Sequence, residues 1–182
     1  MIRNRGSRKD RCSVDGRFRA ASGFPPSGYR RRVDGRFEQI PQEILTEATI
    51  MRIEKDGMGE MALPEESYYG CGAERHRIAF PVGPFELDDY PLYIRAVALL
   101  KIACARANAE IGALDKEKAK FIEKAAWEVA DGKFTGNFKI NIFRGSGTPL
   151  NAAVNEVIAH RANELMTGDK TKGGIHPNTH VN

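Results

Sequence analysis

The run Thr148-Pro149-Leu150-Asn151-Ala152-Ala153-Val154-Asn155-Glu156-Val157-Ile158 decides the fold. Proline suits the first turn of a helix, where a missing N–H costs nothing. Beyond it Leu150, Val154, Val157, Ile158 and Leu165 recur on one face at helical spacing, and Gly168 supplies a stop. The pattern predicts a helix from near Thr148 to just before Gly168. Upstream, Asp115 is an N-cap for a second helix that carries Phe121, Ile122, Ala125 and Val129 to Gly132, a residue able to take the left-handed position after a helix. A third is expected before Gly112, with N-cap oxygens from Asp88 or Asp89, Pro91 in its first turn, and Val97, Leu100, Cys104, Ala107 and Ile111 as its apolar face. Trp127 and Cys104 are read as packing residues. Phe138 to Phe143 alternates as a short strand does. Residues 51 to 86, punctuated by Gly57, Gly59, Pro64, Gly70, Gly72, Pro81, Gly83 and Pro84, read as an irregular arm with one short strand and without long helices. The fold class is mainly α.

The 182 residues, 41% hydrophobic and 29% charged, fit one domain of ordinary size and exclude a collagenous or wholly disordered chain. No apolar run approaches the roughly 18 to 20 residues of a membrane span, and the N-terminus lacks the apolar core of a secretory signal. A cytoplasmic protein without membrane partners is expected. Cys12, Cys71 and Cys104 are too widely and irregularly spaced to suggest a disulfide framework or a zinc site.

The net charge of +4 is unevenly spread. Residues 1 to 36 hold 11 Lys and Arg against 3 Asp and Glu, whereas the remainder holds 17 against 21. Basicity therefore belongs to the tail, and nucleic acid is not the expected partner of the body. With few aliphatic residues to bury against a backbone ordering cost of about 1 to 2 kcal/mol per residue, residues 1 to 50 are expected to be a disordered basic tail. A phosphate-binding arm, a targeting segment, and upstream sequence preceding a start at Met51 compete as its role, the last being favoured.

Two stretches carry chemistry. Arg144-Gly145-Ser146-Gly147-Thr148-Pro149 sets glycines, hydroxyls and a cation before a helix whose first amides lack partners, a place where a carboxylate or phosphate can dock. No lysine follows at phosphate-loop spacing, and a plain N-cap with a flexible entry is the competing reading. His176-Pro177-Asn178-Thr179-His180-Val181-Asn182 lacks the Cys, Asp or Glu expected beside histidines at a metal. It reads as a polar substrate site or an ordinary polar tail.

Taken in order, Arg52-Ile53-Glu54-Lys55-Asp56, Pro64, Tyr68-Tyr69-Gly70, Gly145-Ser146-Gly147-Thr148, Asn151, Asn155-Glu156-Val157 and His176 to Asn182 resemble the N-terminal part of the aspartase and class II fumarase family. The resemblance covers residues 51 to 182. The Arg-x-Glu-Lys-Asp and Tyr-Tyr-Gly segments look more like the aspartate ammonia-lyase branch, while Gly-Ser-Gly-Thr is similar to the fumarase form.

The resemblance implies a fumarate lyase-type N-terminal domain over 51 to 182, within a helical protomer that assembles as a homotetramer and needs no organic cofactor; from the residues themselves no metal is expected. It implies removal of ammonia or water beside a carboxylate, through a carbanion held as an aci-carboxylate. Ser146, Thr148 and Asn151 would bind a dicarboxylate substrate, and His176 and Asn178 a second dicarboxylate. The family's central helical domain and the mobile loop that bears its base have no counterpart before Asn182. The chain is therefore expected to be a truncated fragment with no catalytic base, inactive alone, or else a noncatalytic assembly module.

Overall fold

The computed structural model describes residues 30–33, 36–39, 50–81, 83–143 and 147–182. The chain divides into two compact units, Met1–Glu47 and Ala48–Asn182. In the first, β1 (Arg30–Val33) pairs antiparallel with β2 (Arg36–Gln39). Apart from these two strands and Ile50, the residues of the disordered tail expected over 1 to 50 lie outside the described ones.

The second unit opens with another antiparallel hairpin, β3 (Met51–Asp56) and β4 (Gly59–Pro64), in register from Met51 opposite Pro64 to Asp56 opposite Gly59. Asp56 Oδ1 accepts the Met58 N–H at 2.8 Å across the turn, and Gly59 takes φ 116°. Arg52 then fixes the chain after β4. Its guanidinium donates to the carbonyls of Pro64, Glu65 (3.2 Å) and Tyr69 (3.1 Å) and to Ser67 Oγ (3.1 Å). The supposed irregular arm is therefore a hairpin followed by a helix, α1 (Cys71–Ala79), whose start is built by partners distant in sequence.

Three longer helices follow: α2 (Pro91–Glu110), α3 (Lys116–Ala130) and α4 (Thr148–Thr167). The last two match the sequence pattern closely. Asp115 Oδ1 caps α3 by accepting from the Glu117 and Lys118 N–H groups at 3.0 Å each. Gly132 and Gly168 follow α3 and α4 with φ 80° and 79°. Helix α4 is the spine, packing on α1, α2, α3 and a final π-helical turn, Pro177–Val181.

Helix α2 differs from expectation at both its start and its inward face. Tyr90 is the N-cap and supplies no side-chain cap. Asp88 instead accepts the N–H groups of Gly136 (3.0 Å) and Phe138 (3.1 Å). Ile94, Ala98, Lys101, Ile102 and Ala105 are buried, while Leu100 is 58% and Ile111 78% exposed. The helix carries two apolar stripes, and contact with α3 and α4 selects the one that periodicity did not favour. Trp127 is likewise 40% exposed rather than packed, and Cys104 is half-buried.

The expected strand at 138 to 143 reduces to one bridge, Glu86 to Asn141. Phe138 and Ile140 are buried, but Asn141 Oδ1 turns the chain by accepting the Phe143 N–H at 2.8 Å. Among the described residues no helix is long and apolar enough to cross a membrane.

Candidate functional site

Helix α4 is buried over most of its length and therefore brings polar groups into the interior wherever its sequence is polar. Asn155, Glu156 and Asn163 are 1%, 8% and 5% exposed. Each is committed to a different neighbour. Glu156 Oε2 accepts the N–H groups of Gly70 (2.9 Å) and Ala73 (3.0 Å), and Oε1 that of Gly72 (2.8 Å), so an anion on α4 closes the start of α1. Burial pushes the Glu156 carboxyl up and these N–H groups oppose the rise. Asn163 brackets one residue of the loop after α4, donating to the Ile175 carbonyl at 3.0 Å and accepting its N–H at 2.9 Å. Gly173, at φ 129°, passes close enough that a Cβ would stand 2.5 Å from Asn163 Oδ1.

A cavity of about 450 Å³ lies between β3, the start of α1, α4 and the C-terminal segment. Glu54, Cys71, Glu156, His160, Lys170, His176 and Asn178 line it. His160 Nδ1–H donates to the Tyr68 carbonyl at 2.8 Å, leaving Nε2 at 3.3 Å from Glu54 Oε1. Arg52 Nε donates to the same oxygen at 2.7 Å. Burial raises the Glu54 carboxyl, but His160 and Arg52 outweigh it and hold the group below its ordinary value. Burial, reinforced by Glu54, Asp56 and Glu156, pushes the Cys71 thiol up to about 11. A thiol so placed is a packing group rather than a nucleophile.

His176 and Asn178 thus meet in one cavity. His176 Nδ1 accepts the Asn178 N–H at 3.2 Å, and the His176 N–H donates to His180 Nδ1 at 2.8 Å, so both imidazoles serve as acceptors within the terminal turn. Burial, and then the charges of Lys118 and His176, lower the His180 pKa.

Thr148 and Asn151 stand elsewhere, in the first turn of α4 and outside the cavity lining. Thr148 is exposed and Asn151 half-buried. Gly147 is the N-cap and offers no side-chain cap, so the turn keeps donors available to an anion. Asn151 Nδ2 donates to Asn182 Oδ1 at 3.0 Å. Ser146 lies outside the described residues, as does Arg144.

Sequence reasoning missed Glu54, His160 and Lys101. Glu54 stood inside a quoted motif as a carboxylate of no stated task. His160 was one residue within a helix pattern, and Lys101 was given no role in the helix before Gly112. Burial pushes the Lys101 ammonium pKa down.

The profile of a lyase family matches residues 59–182. Over 132 residues the chain is 44% identical to the class II fumarate hydratase of Thermus thermophilus, an alignment that takes in 72% of this chain and 28% of that protein. It is 43% identical over 136 residues to an aspartate ammonia-lyase from a Bacillus species, covering 74% of this chain and 29% of that one. Among solved structures, the native form of fumarate lyase:delta crystallin from Brucella melitensis superposes with a TM-score of 0.68 at 34% identity, over 73% of this chain and 31% of that one. A class II fumarase from Schistosoma mansoni gives a TM-score of 0.69 at 32% identity, over 73% and 28%. The chain spans less than a third of the length of the curated relatives it matches.

Proposed function

The chain belongs to the aspartase and class II fumarase family of lyases, and from that premise we propose that it carries the substrate-carboxylate end of an aspartate ammonia-lyase site, the enzyme that converts L-aspartate to fumarate and ammonia. In that reaction a proton leaves C3 and ammonia leaves C2. The carboxylate on C3 takes up a second negative charge in the transition state, so donors aimed at it stabilise the transition state more than the ground state. We assign this role to Thr148 and Asn151, and to Ser146 on its sequence motif alone. What supports the reading above all is the first turn of α4, where Thr148 and Asn151 share an uncapped helix start. His176 and Asn178, gathered in the separate cavity, are assigned a second dicarboxylate.

Proton removal requires a base within hydrogen-bond reach of C3–H. Neither the side chains of that turn nor the partners of Asn151 and Asn182 include a carboxylate or imidazole among the described residues. The 182-residue chain therefore binds the substrate without turning it over. Assembly into a homotetramer belongs to the same proposal, and Leu92, Leu100 and Ile111, which are 80%, 58% and 78% exposed on or just after α2, offer an apolar face for it.

A second reading, hydration of fumarate to L-malate, is favoured by the near-equal identity to a class II fumarate hydratase. Saturation-transfer NMR with L-aspartate and L-malate separates the two. The aspartase reading predicts contact with L-aspartate that weakens in Thr148→Ala, and stronger contact with L-malate favours the hydratase. Contact with neither contradicts both.

A further inference from the structure

Lys101 projects from α2 into the core and is 6% exposed. An ammonium removed from water needs an anion or a full set of acceptors, and without them its burial is costly. Among the described residues it has no carboxylate partner. Its hydrogen bond goes to a neutral amide oxygen, Oδ1 of Asn182, at 3.3 Å. That oxygen also receives Asn151 Nδ2 at 3.0 Å and Asn155 Nδ2 at 3.3 Å. Three donors from two helices thus converge on an atom with two lone pairs, and one of them brings a positive charge. Asn155, at 1% exposure, supplies an independent sign that the cluster is incomplete, because its Oδ1 is buried with no donor.

A surplus of donors, an uncompensated cation and an orphaned acceptor describe the complement of a particular ligand. A carboxylate accepts at about four lone-pair positions and carries the missing charge. An amine or hydroxyl on C2, one carbon beyond the carbon that bears this carboxylate, gives the Asn155 oxygen its donor. Asn151, in the first turn of α4, is only half-buried and Asn182 is exposed, so the cluster reaches the surface at these two residues.

We propose that Lys101 is a further substrate-binding residue, and that Lys101, Asn151, Asn155 and Asn182 together receive the carboxylate end of an α-amino or α-hydroxy dicarboxylate. This inference rests on the reading of Thr148 and Asn151 above and adds to it the charge that their hydroxyl and amide lack. Thr148 and the amides of the helix start take one carboxylate oxygen, and the unused N–H groups of Lys101 and Asn151 take the other.

The test is calorimetric titration of the full chain with L-aspartate, L-malate and succinate, in wild type, Lys101→Met and Lys101→Arg, with thermal melts of each. Lys101→Met removes the charge but keeps an unbranched apolar stem in the same space. It is expected to bind L-aspartate or L-malate at least about tenfold more weakly, while melting no lower than wild type because a buried cation is gone. Lys101→Arg is expected to retain most of the affinity. Succinate, lacking the α donor, is expected to bind more weakly than L-aspartate and L-malate. Unchanged affinity in Lys101→Met while wild type binds overturns the role of Lys101 and leaves the Thr148 and Asn151 reading standing. A lower melting temperature with unchanged affinity assigns Lys101 to the fold and also overturns it. A wild-type chain that binds none of the three acids overturns both.

Discussion

The carboxylate of Glu156 lies 2.8 Å from the backbone nitrogen of Gly72, 84 residues earlier in the chain. The same side chain takes the Gly70 and Ala73 N–H groups, so α1 begins on a charge delivered by α4. This contact explains why two glycines stand there. A Cβ on Gly72 would meet Glu156 Oε1 at 2.7 Å, and one on Gly70 would meet its Cδ at 3.0 Å. Gly72→Ala is expected to cost about 1 to 3 kcal/mol through crowding. Glu156→Ala, which strands three N–H groups, is expected to cost about 3 kcal/mol. Urea unfolding measures both, and a loss under about 0.5 kcal/mol for Glu156→Ala would sink the assignment.

Acid is expected to loosen the terminal turn. His180 Nδ1 accepts the His176 N–H, and protonation removes that acceptor beside Lys118. Because the folded-state pKa of His180 is lowered, the unfolded chain holds its proton more tightly. The stability this histidine contributes is therefore present above the ordinary histidine range and lost as pH falls through the folded value. Thermal melts at pH 7.5 and 5.5 should show a smaller drop in His180→Asn, whose amide oxygen remains an acceptor, than in wild type. An equal drop contradicts the account.

Cys71 should resist alkylation. It is 5% exposed, and its thiol is pushed up to about 11. Only the thiolate reacts, and at pH 8 little of it is present. Iodoacetamide mapping by mass spectrometry should leave Cys71 unmodified in the folded chain and modify it in urea. Rapid labelling without urea would show that α1 opens readily.

The two faces of α2 give a direct check on packing. Ile102→Ala, at a 4% exposed position, is expected to cost about 2 to 5 kcal/mol. Leu100→Ala, at 58%, is expected to stay within about 0.5 kcal/mol. Denaturant midpoints that rank the two in reverse would restore the face that sequence periodicity favoured.

That reversal shows which parts of the molecule could be read in advance. Helices α3 and α4 were legible because their signals are local: Asp115 caps its own helix, Pro149 opens one, and Gly132 and Gly168 close them. Helix α1 was not, because the anion at its start comes from Glu156 rather than from its own sequence. The inward face of α2 is chosen by α3 and α4, and no periodicity ranks two apolar stripes on one helix. The candidate site divides in the same way. Thr148, Asn151, His176 and Asn178 sit in short motifs. Lys101, Asn155, Glu54 and His160 acquire their roles only from partners far along the chain.

The central claim is that this chain holds the carboxylate of a four-carbon substrate without a base to remove its proton. Following fumarate absorbance in the pure 182-residue chain, with L-aspartate and separately with L-malate, tests it most directly. Loss of a general base alone lowers rates by about 10² to 10⁴, and the account predicts no fumarate above background with either acid. Fumarate production that disappears in Thr148→Ala would contradict it, by showing that a complete catalytic site is assembled within these residues.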